Sequence, residues 1–242
     1  MGVRYAGEYK LDPITMQISG CPARAPEVRA LLETIQDANQ LKGATAMRAN
    51  AMSFKDLEVM MKGTEVQLSD SDWTSALQDG TVHDGEAAYS TMVRLMIRAF
   101  GSSSFTLWTR CYELCRVRYK DIEFGLHTAA PDYIPYFKVR LTSKKGMQND
   151  TFHIYQQKDA WALDMHTHLL SWLQLLQCRL GRPLEAEDYI FPSLSTNGVV
   201  QPKTAMNDEE LQDHISHFSA AAGIAERYTA HSFRSGGETA GF

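Results

Sequence analysis

Tyr133-Ile134-Pro135-Tyr136-Phe137-Lys138-Val139-Arg140-Leu141 alternates apolar and polar side chains, and Thr151-Phe152-His153-Ile154-Tyr155 does so again. Between them lies a polar connection, Thr142-Ser143-Lys144-Lys145-Gly146-Met147-Gln148-Asn149-Asp150. A period of two belongs to a half-buried strand, because successive side chains leave opposite faces of the backbone. Two such runs joined by turn material predict a β-hairpin.

On both sides the period lengthens to that of helices. Downstream, Asp164 opens a long amphipathic helix running to about Leu180, where Gly181 and Pro183 stop it. Asn207 caps another from about Asp208 to Ala222, stopped by Gly223, and a last helix begins near Thr229. Upstream, Tyr89, Met92, Val93, Met96, Ile97 and Phe100 share one face of a helix that starts at Gly85 and should end at Gly101. A further helix is expected from about Ser103 to Val117. Ser53 caps a short helix that buries Leu57, Met60 and Met61, and Pro26 opens one with a Val28, Leu31, Leu32, Ile35 stripe. The segment from Lys62 to Asp84 is polar, with one short helix capped by Asp70. The expected fold is mainly α with a small antiparallel β-sheet, an α+β class. Its domains are a partial helical lobe over 1–62, a hinge over 63–84 and the principal domain over 85–242.

The chain's 242 residues are 44% hydrophobic and 22% charged, ordinary values for a globular protein with one good core. No apolar run approaches the roughly 18 to 20 residues needed to cross a bilayer. Met1-Gly2-Val3-Arg4-Tyr5-Ala6 has no apolar signal core and no Ser or Thr at the position a myristoylation signal requires. These features predict a soluble intracellular protein without a membrane partner. The net charge of −5 argues against a nucleic-acid binder if taken alone. Screening makes distribution matter more than the sum. Arg110, Arg116, Arg118, Lys120, Lys138, Arg140, Lys144 and Lys145 face only Glu113, Asp121, Glu123 and Asp132 in the same stretch, so the middle of the chain is locally basic.

Three segments carry candidate chemistry. Arg110 and Glu113 share a helix face at a spacing of three, so the carboxylate can orient the guanidinium. Taken alone, such a pair is an ordinary surface contact. Lys144 and Lys145 occupy the hairpin connection, also a common place for surface lysines. Thr229-Ala230-His231-Ser232-Phe233-Arg234-Ser235-Gly236-Gly237-Glu238-Thr239-Ala240 puts His231 and Arg234 one turn apart at a helix start, where free amides and the helix dipole favour anions. Ser235, Gly236 and Gly237 are poor helix formers, so something other than propensity must hold this turn.

The order Arg110-x-x-Glu113-Leu114, then Asp121-Ile122, then a hairpin lysine, then His231-x-x-Arg234 resembles the tyrosine recombinase and phage integrase family over about residues 85–242. The His231 to Ala240 segment is most similar to Crypton-type recombinases of fungal mobile elements. The helices before Lys62 more weakly resemble the end of the family's core-binding domain. The resemblance implies a recombinase catalytic-domain fold that binds double-stranded DNA and breaks and rejoins it through a phosphotyrosyl bond, in site-specific recombination or DNA integration. Arg110 and Arg234 would clamp the non-bridging phosphate oxygens, which suits the guanidinium fork. Lys144, or else Lys145, would protonate the leaving 5′ oxygen, His231 would assist proton transfer at the nucleophile, and Glu113 would support Arg110. Arg116, Arg118, Lys120 and Arg140 are candidate DNA-phosphate contacts. No cofactor, metal or small-molecule substrate is implied. A homo-oligomer on DNA is, and a nuclear location in a eukaryote.

The departures are as informative. The family places a His or Trp, and then its nucleophilic tyrosine, after the second arginine, whereas all ten tyrosines here precede His231. The expectation is therefore a recombinase core that does not cut DNA in this form, lacking the C-terminal helices. The competing reading is a non-catalytic DNA-binding or protein-interaction module derived from a mobile-element recombinase. A truncated relic is a third. His214 and His217 with Asp164, His166 and His168 stand at no recognised metal-ligand spacing. Cys111 and Cys115, one helical turn apart, read as small core residues.

Overall fold

The computed structural model describes residues 50–65, 85–141, 150–195 and 199–240, with 10–11, 18–19, 25–28, 30–31 and 34 before them. Two compact units divide the chain at Arg48 and Ala49. In the first, strands β1 (Lys10–Leu11) and β2 (Ile18–Ser19) pair antiparallel, and 26–28, 30–31 and 34 are helical. Val28 and Leu31 of the expected stripe are exposed, and Leu32 and Ile35 lie outside the described residues. So does the segment from Val66 to Asp84 with its expected Asp70 cap.

The second unit is α+β. Ser53 caps α1 (Phe54–Gly63) by accepting from the Asp56 amide at 3.0 Å, and α1 buries Leu57, Met60 and Met61. This helix, placed above with the N-terminal lobe, lies within the second unit and packs on its other helices. The centre of the unit is α2 (Gly85–Leu107), which packs against three later helices, α4 (Met165–Leu180), α5 (Asp208–Ala221) and α6 (Ala230–Ala240). Phe100 on α2 meets Phe191 and Phe233 edge-on, with ring centroids 5.6 and 6.2 Å away. All three rings are fully buried, and truncating one to alanine would cost about 3–5 kcal/mol.

Gly101 does not end α2, contrary to the sequence expectation. A methyl group there would lie 3.1 Å from the Phe233 ring and 3.2 Å from the Met61 methyl, so the glycine serves the close approach of α6 and α1 to α2. The helix continues to Leu107 and breaks at Trp108, whose φ of 52° is left-handed. What was expected as one helix over 103–117 is thus the last turn of α2, a break, and the short α3 (Cys111–Cys115).

Two stop glycines behave as expected. Gly181 (φ 63°) and Gly223 (φ 72°) end α4 and follow α5, whose caps Asp164 and Asn207 accept from the Thr167 and Glu210 amides. The expected hairpin is β4 (Pro135–Leu141) against β5 (Asp150–Tyr155), in a register that sets Leu141 opposite Asp150 and Tyr136 opposite Tyr155. A strand not foreseen, β3 (Ile122–His127), adds to the other edge of β4 with a register shift around Gly125, where φ is 74°. A further antiparallel pair, β6 (Pro192–Leu194) with β7 (Val200–Ala205), was also not foreseen. No described helix is long and apolar enough to cross a membrane.

Candidate anion-binding cleft

Arg110 stands immediately before α3, and its extended backbone (φ −73°, ψ 151°) turns the chain into that helix. The carboxylate of Glu113 reaches back to it twice. Oε2 accepts the Arg110 amide proton at 2.9 Å, and Oε1 accepts from the guanidinium Nη1 at 3.1 Å. Tyr112 donates its hydroxyl proton to the same Oε1 at 3.2 Å. Glu113 is 3% exposed while Arg110 is 44% exposed, so a buried carboxylate aims an accessible guanidinium. The hydrogen bond from Glu113, then its charge, hold the Arg110 guanidinium above its ordinary pKa.

Arg234 lies on α6, whose start is fixed from both sides. The Thr229 amide donates to Ser232 Oγ at 3.0 Å, and the Met52 amide donates to the Ser232 carbonyl at 2.9 Å. The glycines that weaken this helix are required by packing. A methyl group on Gly236 would sit 2.2 Å from the Met52 carbonyl oxygen, and one on Gly237 2.1 Å from that of Phe105. A side chain at either position would push α6 off the end of α2. This answers what holds the turn despite its propensity: backbone contacts at a distance only glycine permits.

That contact brings the arginine-bearing segments together. The Trp108 ring, two residues before Arg110, lies against Gly237, one turn after Arg234. A cleft of about 450 Å³ opens there, lined by Trp108 from the end of α2, by Asp150, Thr151 and Phe152 from the start of β5, and by Arg234 and Glu238 from α6. Arg234 donates to Glu238 Oε1 from Nε at 2.9 Å, with Nη2 2.7 Å from the same oxygen. His231 is exposed one turn earlier on α6. Arg110 is not one of the residues lining the cleft. Lys144 and Lys145 lie outside the described residues, in the connection whose paired ends, Leu141 and Asp150, are described.

The four candidate phosphate contacts are placed less favourably. Arg118 and Lys120 both pair with Glu187, the lysine at 2.6 Å, and Arg118 also donates to the Tyr189 hydroxyl. Arg140 lies 3.5 Å from Glu123, which is also 3.9 Å from Lys138. Arg116 is exposed over the Tyr112 ring. Tyr228, the tyrosine nearest His231 in sequence, is buried and donates its hydroxyl to Asp56 at 2.7 Å. Burial, then the Asp56 hydrogen bond, push that hydroxyl up to about 12, away from nucleophilic use.

Other groups singled out in the sequence serve elsewhere. Cys115 is buried, and Cys111 lies 3.9 Å from it with its thiol donating to Asp208 at 3.1 Å. The contact with Cys115 and burial push the Cys111 thiol up, which makes it a poor nucleophile. His168 is buried against the Trp161 carbonyl at 2.9 Å, and Asp164 is occupied as a cap. Among the described residues no three His, Cys, Asp or Glu side chains gather as metal ligands would.

No protein-family model matches the chain, and no curated protein does. Among solved structures it is similar to the XerH site-specific recombinase bound to difH substrate in a pre-cleavage complex, at 13% identity and a TM-score of 0.45. That likeness covers 79% of this chain and 42% of the other. A second is the same recombinase bound to palindromic difH in a post-cleavage complex, at 13% identity and a TM-score of 0.41, covering 77% and 40%. The chain thus spans about two fifths of the length of either structure.

Trp108 and Glu238 carry no role in the sequence reading. A tryptophan at a helix end and an i,i+4 Arg–Glu pair are each ordinary alone. Their meaning comes from the junction of α2 with α6, which no local pattern announces.

Proposed function

We propose that this unit is the phosphate-gripping core of a tyrosine recombinase-type DNA breaking-and-rejoining site. The observation that carries the reading is the convergence at one cleft of Arg234, the turn leading to Arg110, and the base of the hairpin whose connection holds Lys144 and Lys145. In this reading the two guanidiniums take the non-bridging oxygens of a DNA phosphate and stabilise the charge that builds as it is attacked. One hairpin lysine protonates the leaving oxygen, His231 serves the nucleophile, and double-stranded DNA is the partner. Tyr228 is buried with its hydroxyl held by Asp56, which speaks against its use as the nucleophile. That same bond favours, as the second reading, a non-catalytic DNA-binding module that keeps the arginines as phosphate contacts.

Anisotropy of a labelled duplex across a salt series tests the proposal. The expected result is a linear fall of log affinity with log salt, with Arg110→Ala and Arg234→Ala each reducing the slope by about one phosphate contact. Absence of duplex binding, or a slope that neither variant changes, overturns it. The 3′ sequence of the natural transcript then separates the two readings. A tyrosine encoded beyond Phe242 predicts a covalent protein–DNA adduct that Arg110→Ala abolishes, and a stop there predicts binding alone.

A further inference from the structure

We propose that Trp108 forms a nucleoside subsite beside Arg234, its indole carrying the base or deoxyribose of the nucleotide whose phosphate Arg234 grips. The inference rests on the phosphate-binding reading above and adds the class of ligand that fills the rest of the cleft. Trp108 is 40% exposed, among the few large apolar side chains of the unit so open, and it stands on the wall of the cleft that Arg234 lines. Its backbone is left-handed, a conformation bulky side chains rarely adopt and one that persists only where the surroundings enforce it.

What enforces it is the seat on α6. The Cδ1 and Nε1 edge of the indole lies 2.6 and 2.8 Å from where a Gly237 side chain would begin, so the missing side chain makes room for the ring. Arg234 is one turn away on the same helix, which fixes the spacing between indole and guanidinium. Thr151 and Phe152 of β5 line the same cleft. At about 450 Å³ the cleft is far larger than a phosphate and falls in the size range of small-ligand sites. An aromatic ring beside an arginine takes any base, because every base has a π-face, and such stacking is tolerant of sequence.

The test is displacement of a labelled duplex by a thymidine dinucleotide and, separately, by inorganic phosphate. Wild-type protein should take the dinucleotide more tightly than phosphate. Trp108→Leu should weaken the dinucleotide by roughly 5- to 150-fold, the usual worth of one stacked base, and leave phosphate unchanged. Trp108→Phe keeps a ring in the seat and should fall between, which separates loss of stacking from loss of fold. Tryptophan emission should be quenched by the dinucleotide in the wild type and not in Trp108→Phe. Equal losses for both ligands, or no loss with either variant, overturn the subsite. Duplex binding that Arg234→Ala reduces while Trp108→Leu does not removes the subsite alone. Failure of the wild type to bind duplex removes the phosphate-binding reading with it.

Discussion

Arg110 and Arg234 are each paired with a carboxylate from their own helix, yet the two pairs differ in kind. Glu113 is 3% exposed and bonds both the backbone and the guanidinium of Arg110, so it belongs to the fold as much as to the arginine. Glu238 is 45% exposed and touches only the guanidinium of Arg234, which is itself 23% exposed. Under the proposed reading, a phosphate would meet an Arg110 already aimed by Glu113, but would have to compete with an exposed carboxylate for Arg234. A buried partner orients, whereas an exposed one can be exchanged.

The largest way to break this arrangement is to remove the junction on which it stands. Gly237→Ala forces a methyl group to 2.1 Å from the Phe105 carbonyl oxygen. It should destabilise the unit by about 3 kcal/mol or more in urea unfolding, at or above the upper end of overpacking costs. Gly181→Ala meets nothing within 4 Å and has only its φ of 63° to overcome, so it should cost about 1 kcal/mol. Next is Glu113→Gln, which turns an amide N–H₂ toward a donor of Arg110. It should cost about 1.5–3 kcal/mol and weaken duplex binding together with stability. Glu238→Gln should shift stability by less than about 0.5 kcal/mol, as for an exposed pair, while tightening duplex binding at low salt. Equal effects of the two substitutions would erase the distinction between the pairs.

Acid sharpens the comparison from outside it. Burial, with the charge of Arg98, lowers the His168 pKa to about 4, below its unfolded value near 6.5. Between those values the unfolded chain binds more protons, so stability should rise with pH from about 4 to about 6.5 and then level. Thermal melts should show that slope in wild type, Glu113→Gln and Glu238→Gln alike, and a shallower one in His168→Gln, where His166 and His214, also lowered by burial, still contribute. Comparisons of the arginine pairs belong above pH 6.5.

Much of this was legible in the chain because it is local. Ser53, Asp164 and Asn207 cap the helices they precede, Gly181 and Gly223 stop those they follow, and the Arg110–Glu113 spacing delivers the contact it implies. The failures are non-local. Gly101 has the same letter as a stop glycine, but its reason is the ring of Phe233 on another helix. Strand β3 is interrupted by Gly125, and it exists through pairing with β4 rather than through its own pattern. Strand β7 contains Pro202, a residue that weakens any local strand signal, and it exists through pairing with β6. At the cleft, Arg234 was readable from its motif, while the left-handed turn at Trp108 and its seat on Gly237 were not, since no residue near Trp108 signals them.

The bond from Tyr228 to Asp56 joins residues 172 apart, and the Met52 amide waits for the Ser232 carbonyl over a similar span. On a ribosome adding about 5–20 residues per second, α1 would emerge roughly 10 to 30 s before the segment that covers it. Throughout that interval Met60 and Met61 lack Phe233, and the nascent chain presents an apolar surface to whatever chaperone is at hand. The helix that carries His231 and Arg234 is the latest of the described elements to join this core, so packing of α1 and assembly of the cleft wait on the same segment.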